Sequence, residues 1–415
     1  MSVKNAVRKV LNSALFRSLG ISLINYDFLK YLKHYLWVFH SRSIPALAIT
    51  FNEPGPVTSV DLLLSRRLIA AYKKASADRA LGEKSTSRLW SQELKRNCGA
   101  LIAAVEAGNE RELSRLLSSM FTSDFVYGLA SGSLVEHSKG PLGRKIWSMK
   151  YQDNIVALAE YLGVVRAEST QQGAKGYALK DGLGAVVGMI EQKLGMPVGF
   201  PDIGAPYGVK AGKSLITMEH PEHLYVALRL GDAAGDHCAG ISHPLRIVEI
   251  GAGFGGLAYW IISLKRLNVG NYTIVDLPLI NIIQGYFLAK AFGPERVSLF
   301  GERSGQDILV TVLPNVAYET EIKGNFDILV NENSMPEMSD EIVSKYIRFA
   351  RDRLTGVFFS YNHEAYSVVY GKPQVFVPGI VESVGGFQRL SRNASWLRSG
   401  YVEEVYRVQN QRGRK

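Results

Sequence analysis

Leu245-Arg-Ile-Val-Glu249-Ile-Gly251-Ala-Gly253-Phe-Gly255-Gly256 is the stretch that decides the fold. Leu245, Ile247, Val248 and Ile250 form an apolar run of strand length, rich in β-branched residues. The glycines end that run, and an apolar helical pattern starts at about Gly256. Glycine lets the chain turn tightly and lets another group approach the main chain. The free N–H groups at the start of a helix can meet an acidic or polar ligand. A strand, a glycine turn and a helix in this order therefore predict a ligand at the turn.

Downstream the rhythm repeats. Apolar runs at Leu245–Ile250, Tyr272–Val275, Val297–Phe300, Phe326–Asn331 and Gly356–Ser360 predict strands, with helical patterns at about 256–268, 279–292 and 340–353 between several of them. This alternation predicts an α/β fold with a Rossmann-like, doubly wound, mostly parallel sheet covered on both faces. Upstream the pattern is helical. After the break Pro54-Gly55-Pro56, Thr58 or Ser59 can cap a helix to about Lys74. Helices follow near 90–106 and 110–120, the second with Asn109 as N-cap and Glu112 completing a capping-box-like pattern. Residues 151–162 and 183–194 read as helices stopped by Gly163 and Gly195. Residues 196–244 form a Gly/Pro-rich connector with a helix at 219–230. The expected organisation is a basic amphipathic segment over 1–50, a mainly α-helical domain over 51–199 covering the acceptor, the α/β domain over 200–400 and a basic tail over 401–415.

The glycine spacing fits two cofactor classes. Gly251, Gly253 and Gly256 satisfy G-x-G-x-x-G, the dinucleotide fingerprint. Gly251, Gly253 and Gly255, preceded by Glu249, satisfy E-x-G-x-G-x-G, a methyltransferase pattern. The acid at Glu249, where the dinucleotide fold has an apolar residue, favours the second reading, because it can hold the turn and help seat a cationic ligand. Asp276 ends the next strand 25 residues after Gly251, where a carboxylate can accept both ribose hydroxyls. Both classes use that acid, so a nicotinamide oxidoreductase stays open as the alternative enzyme. A methyltransferase-like binding module without catalysis is the alternative outside enzymes.

At these residues the chain resembles the class I methyltransferases, and within them the sugar O-methyltransferase family of bacterial polysaccharide gene sets. The resemblance spans roughly 150–365. It rests on Glu249-Ile-Gly-Ala-Gly-Phe-Gly-Gly256, on Val275-Asp-Leu-Pro278 leading into Gln284-Gly-Tyr-Phe-Leu288, and on Asn331-Glu-Asn-Ser-Met-Pro-Glu-Met338. Asp153-Asn-Ile-Val-Ala-Leu-Ala-Glu-Tyr-Leu-Gly163 and His223-Leu-Tyr225 add to it. It implies S-adenosyl-L-methionine as cofactor, held by Glu249, Gly251, Gly253, Gly255, Asp276, Leu277 and Asn331. It implies a sugar or glycoconjugate hydroxyl as methyl acceptor.

Methyl transfer from a sulfonium is an in-line displacement, so the protein mainly positions the acceptor and excludes water. A sugar hydroxyl is a poor nucleophile and gains from a base. Doubly wound sheets place the site at the carboxyl ends of their strands. That rule nominates Asn331, Glu332 and Glu337 after the fourth predicted strand and His363 after the fifth, with His363, Glu337 and Glu332 as candidate catalytic groups. Asn331 or Glu332 faces the transferred methyl in this reading, Glu337 orients or deprotonates the acceptor, and His363 is the base whose pKa needs least tuning. A helix-capping turn over 333–337 is the plainer alternative. His220 and His223 can line the pocket, and Glu302 can reach the adenine. No His, Cys or acidic spacing points to a metal.

The formal net charge is +10, yet residues 51–406 carry 37 basic and 37 acidic side chains, so the surplus lies at the two ends. The catalytic half thus lacks the basic excess that phosphate contacts demand, which argues against a nucleic-acid substrate. Residues 2–19 can form an amphipathic helix, either packed on its own protein or lying on an anionic membrane surface. No apolar stretch reaches the ~20 residues of a membrane span. Two cysteines, Cys98 and Cys238, lie far apart in the chain and fit a reducing compartment. The expected location is cytoplasmic, with contact at the inner membrane face left open.

Overall fold

The computed structural model describes residues 49–77, 88–126, 129, 141–168, 177–302, 305, 307–366, 368–369 and 372–409. The expected amphipathic helix over 2–19 and the last basic residues, 410–415, lie outside them. The chain divides into two compact units, one of residues 1–53 and 131–221, the other of 54–130 and 222–415.

In the first unit, β1 (Ile49–Phe51) pairs antiparallel with β2 (Tyr207–Ala211), and β2 with β3 (Ser214–Ile216). The β2–β3 hairpin falls in the stretch read above as a connector. Its signal is Gly212-Lys213 between apolar runs: Gly212 takes φ 64° at the first position of a two-residue turn, the conformation such hairpins need.

The second unit holds an eight-stranded sheet. Its strands are β4 (Leu245–Ile250), β5 (Val269–Asp276), β6 (Val297–Leu299), β7 (Val310–Pro314), β8 (Phe326–Glu332), β9 (Leu354–His363), β12 (Phe387–Ala394) and β13 (Tyr401–Val408), with the short pair β10 (Val368–Val369) and β11 (Lys372–Pro373) outside it. Their order is β12-β13-β9-β8-β4-β5-β7-β6. All pairings from β9 to β6 are parallel, and β13 runs antiparallel to both β9 and β12. This is the expected Rossmann-like, doubly wound α/β sheet. Every residue of β8 is buried, as a parallel strand covered on both faces must be. Phe326, Leu329, Phe358, Ile347 and Tyr406 pack in one apolar cluster on one side. Each such side chain contributes roughly 1.5–3 kcal/mol on burial, so the strand ends stand on a rigid base.

The helices, in chain order, are α1 (Ser59–Ala75), α2 (Arg88–Asn97), α3 (Gly99–Glu106), α4 (Glu110–Ser118), α5 (Pro141–Tyr161), α6 (Leu183–Leu194), α7 (His220–His237), α8 (Gly256–Ser263), α9 (Pro278–Phe292), α10 (Tyr318–Glu321), α11 (Asp340–Arg353) and α12 (Val377–Val384). The caps read from sequence are in place. Thr58 and Asp61 form a reciprocal capping box on α1, and Asn109 accepts from the Glu112 N–H at 3.0 Å on α4. The helix expected over 90–106 is broken at Cys98, which leaves the helical region with ψ 13°.

The structure differs from the expected organisation in three places. Residues 54–130 belong to the unit of the sheet rather than to a separate helical domain ending at 199. Lys290 anchors α1 onto α9 through Asp61 at 2.8 Å. The region read as a basic tail from 401 begins with β13, whose Val405 and Tyr406 are buried between neighbouring strands. β7 also went unread, although Leu309-Val-Thr-Val-Leu313 carries the strand composition. Cys98 and Cys238 are free and buried. Among the described residues no helix is long and apolar enough to cross a membrane.

Candidate active site at the carboxyl edge of the sheet

The strand order reverses at β4: β5 pairs on one side of it and β8 on the other. The crevice beyond such a switch point is where doubly wound sheets bind their ligands. β4 leads into the glycine turn there, and β5 ends on Asp276, β8 on Asn331 and Glu332, and β9 on Asn362 and His363.

On the β4–β5 side nearly every polar group has a partner. Gly251, Gly253 and Gly255 take φ of 71°, 56° and 96°, a region that costs other residues roughly 1–2 kcal/mol. A Cβ on Gly251 would strike the Ser334 hydroxyl, whereas at Gly253 the nearest atom is the Leu129 carbonyl oxygen at 3.7 Å. The open backbone is therefore at Gly253. Asp276 Oδ1 accepts from the Leu277 N–H and Oδ2 from Gln284 Nε2, both at 2.7 Å. The same Gln284 nitrogen donates to the Gly253 carbonyl at 2.9 Å, so one amide ties the turn to the acid of the next strand. Burial pushes the Asp276 carboxyl up to about 6 against these hydrogen bonds. Its two oxygens still have lone pairs for ribose hydroxyls.

Glu249 lies beneath the turn, 1% exposed. Its Oε2 accepts from the Tyr272 hydroxyl at 2.8 Å. Burial, with Asp276 adding to it, raises its pKa to about 8 even against that bond. The acid is therefore tied to β5 through Tyr272, and its raised pKa favours the protonated form at neutral pH. Asn331, also expected to meet the cofactor, is wholly buried. Its Nδ2 donates to the Ile250 carbonyl at 2.8 Å and to Ser334 Oγ at 2.6 Å, and its Oδ1 accepts from Asn362. It straps β8 to β4 rather than facing a ligand. Glu302 is likewise committed elsewhere: Arg67 holds both its oxygens at 2.7 Å. That pair borders a groove of about 490 Å³ along α1 that lies away from the strand ends.

The β8–β9 side is different. Glu332 Oε2 sits 3.8 Å from His223 Nε2. Burial, reinforced by Glu222 and Glu249, pushes the Glu332 carboxyl well above the usual range. Burial depresses His223 to about 4. His223 is therefore neutral at pH 7, and burial disfavours Glu332 in its charged form. His223 stacks against the glycine turn because Gly256 has no Cβ to block its ring. Glu337, raised by burial to about 7, accepts from Trp90 Nε1 at 3.0 Å. His363 lies at the end of β9 opposite Tyr401 rather than in a loop, with the two rings 5.6 Å apart. Burial, then Arg398, lowers its pKa, which leaves the imidazole neutral and able to take a proton. His220 is buried with its ring 5.9 Å from Phe200.

Three groups here have no counterpart in the sequence analysis, Trp90, Glu222 and Arg398, and Gln284 enters it only as part of the motif after Asp276. The Arg398 guanidinium lies 4.0 Å over the Tyr401 ring and donates to both Glu222 oxygens at 3.0 Å. Asn333 Nδ2 donates to Glu222 at 3.1 Å. Ser395 fixes the turn that carries Arg398, sharing a hydrogen bond with the Tyr361 hydroxyl at 2.7 Å and accepting from the Leu397 and Arg398 N–H groups.

No family model matches this chain. No curated protein is similar to it at a significant level. Among solved structures it is similar to a Nostoc punctiforme protein assigned as an O-methyltransferase, at 12% identity over 46% of this chain, with a TM-score of 0.31. The match spans 61% of the Nostoc protein's length. It is also similar to magnesium protoporphyrin IX methyltransferase from Synechocystis, solved with S-adenosylmethionine bound (11% identity, 46% of this chain, 81% of that one, TM-score 0.32). A third is the N-methyltransferase NodS of Bradyrhizobium japonicum, in complex with S-adenosylhomocysteine (12% identity, 46% and 88%, TM-score 0.31). The strand order described above, and not these distant likenesses, defines the fold.

Proposed function

We propose that this chain is an S-adenosylmethionine-dependent methyltransferase that methylates a hydroxyl of a sugar or glycoconjugate. The observation that carries the reading is the pairing, through Gln284, of an open glycine turn at Gly253 with Asp276 at the switch point of the sheet. The chemistry of the site fits a cationic cofactor. Glu249, Asp276, Glu332 and Glu337 are all raised by burial, and a positive charge brought beside them favours their ionised forms.

S-adenosylmethionine supplies a methyl group made electrophilic by its sulfonium. Asp276 accepts the ribose hydroxyls, and the Leu277 N–H holds its carboxylate in place for them. The Gly253 main chain lies against the cofactor, and Glu249 keeps the turn in shape from beneath. On the acceptor side His363 takes the hydroxyl proton onto its neutral imidazole as the new bond forms. Glu337, poised near neutrality, orients the acceptor, with Trp90 shielding it. Glu332, disfavoured as an anion by its burial, is not the base in this reading.

The test is methyl transfer from tritiated S-adenosylmethionine to a panel of glycosides, nucleotide sugars and bacterial polysaccharide fractions. Label recovered as a sugar methyl ether, and lost in Gly253→Arg, supports the proposal. Label found only on nitrogen, or cofactor bound with no label passed to any carbohydrate, contradicts the sugar assignment.

A further inference from the structure

The acceptor half of the edge is rich in buried polar atoms that lack partners, and their chemistry describes what they are built to meet. Glu332 Oε1, Asn333 Oδ1, His223 Nδ1 and His363 Nδ1 have no hydrogen-bond partner among the described residues. Leaving such an atom buried and unpaired costs about 1–3 kcal/mol each, so four in one neighbourhood mark a place where a ligand completes the structure. They belong together. Glu332 meets His223, Asn333 follows Glu332 and donates to Glu222, and Glu222 takes Arg398, which lowers His363.

The orientation of Asn333 is set by its partner. Its Nδ2 is spent on Glu222, so the free atom is the carbonyl oxygen, an acceptor. Neutral imidazole offers one further acceptor per ring. The site therefore asks its ligand for hydrogen-bond donors. The charge balance says the same. Glu222 and Glu337 lie here with Arg398, which Glu222 already holds at 3.0 Å and Tyr401 already covers. Arg398 is therefore not free to meet a carboxylate or a phosphate on the ligand.

We infer that the acceptor is a hydroxyl-rich molecule that is uncharged or carries an amine, and that Glu337 and Asn333 exclude anionic acceptors such as uronic acids and sugar phosphates. This rests on the methyltransferase reading and narrows its substrate class. The turn Ser395–Gly400 adds an edge to the site. Trp396 is 51% exposed, and its main-chain N–H donates to the Tyr225 hydroxyl at 3.3 Å. An exposed planar side chain on an anchored backbone suits the apolar face of a sugar ring.

The experiment uses the full chain labelled with 5-fluorotryptophan and saturated with S-adenosylhomocysteine. Fluorine NMR signals of Trp90 and Trp396 are assigned with Trp90→Phe and Trp396→Phe. The probes are p-nitrophenyl β-glucoside, its 2-amino-2-deoxy analogue and p-nitrophenyl β-glucuronide. The glucoside or the amino sugar should shift at least one of the two signals saturably, with the glucuronide about tenfold weaker or worse. Glu337→Gln should narrow that gap. Equal or tighter binding of the glucuronide would overturn the inference, as would the failure of all three probes to move either signal while S-adenosylhomocysteine stays bound. Failure to bind S-adenosylhomocysteine at all would strike the methyltransferase reading itself.

Discussion

The two halves of the strand edge contrast in how their polar groups are satisfied. At the ends of β4 and β5, Asp276, Gln284 and the Leu277 N–H answer one another, and Tyr272 answers Glu249. At the ends of β8 and β9, Glu332, Asn333 and His363 keep buried atoms without partners among the described residues. A preformed half can dock a cofactor common to many enzymes with little rearrangement. The unfinished half carries specificity, because only a ligand of matching hydrogen-bond pattern repairs it.

Breaking the preformed half should have the largest effect. Gly253→Arg puts a long side chain where the backbone is open and should abolish cofactor binding by calorimetry, with the fold retained by circular dichroism. Next comes the base of the other half. His363→Ala should lower kcat by roughly 10²–10⁴-fold while cofactor affinity stays as it was; a fall in affinity of similar size would assign His363 to the wrong half. Asp276→Ala should weaken cofactor binding about 10–100-fold, the worth of charge-assisted hydrogen bonds.

Glu249 sharpens the contrast through pH. Its pKa is raised from 4.5 to about 8 in the folded protein, so its contribution to stability is full below pH ~4.5 and is lost as pH rises through 8. Glu249→Gln cannot ionise and should remove that part of the alkaline loss, on the order of a few kcal/mol, read as a flatter unfolding midpoint between pH ~5 and 8. A curve parallel to the wild type would mean the acid is not held protonated. The smallest effect is expected from Trp90→Phe. Loss of its hydrogen bond lets Glu337 rise above about 7, moving the corresponding limb of the pH–rate profile upward by less than about one unit.

The same contrast explains what the sequence made legible. Glu249, the glycines and Asp276 lie within one strand–turn–helix–strand unit, so spacing alone brings them together. Their partner Gln284 stands in the motif that follows Asp276, but nothing in its spacing shows that it bonds both the acid and the turn. Trp90 reaches Glu337 across 247 residues, and Arg398 reaches Glu222 across 176. No local pattern encodes such meetings. Arg398 was further hidden because β12 and β13 alternate in hydropathy only weakly, with most of β12 at least partly exposed. Asn331 and Glu302 show a different case. Both are polar residues near predicted strand ends, and both are consumed by holding the protein together.

The most direct test of the account is a pair of calorimetric titrations of the purified protein, one with S-adenosylmethionine and one with NAD, repeated on Asp276→Ala. The account predicts saturable binding of S-adenosylmethionine, weakened about 10–100-fold by the substitution, and none of NAD. Tight NAD binding, or S-adenosylmethionine binding that Asp276→Ala leaves unchanged, would contradict it.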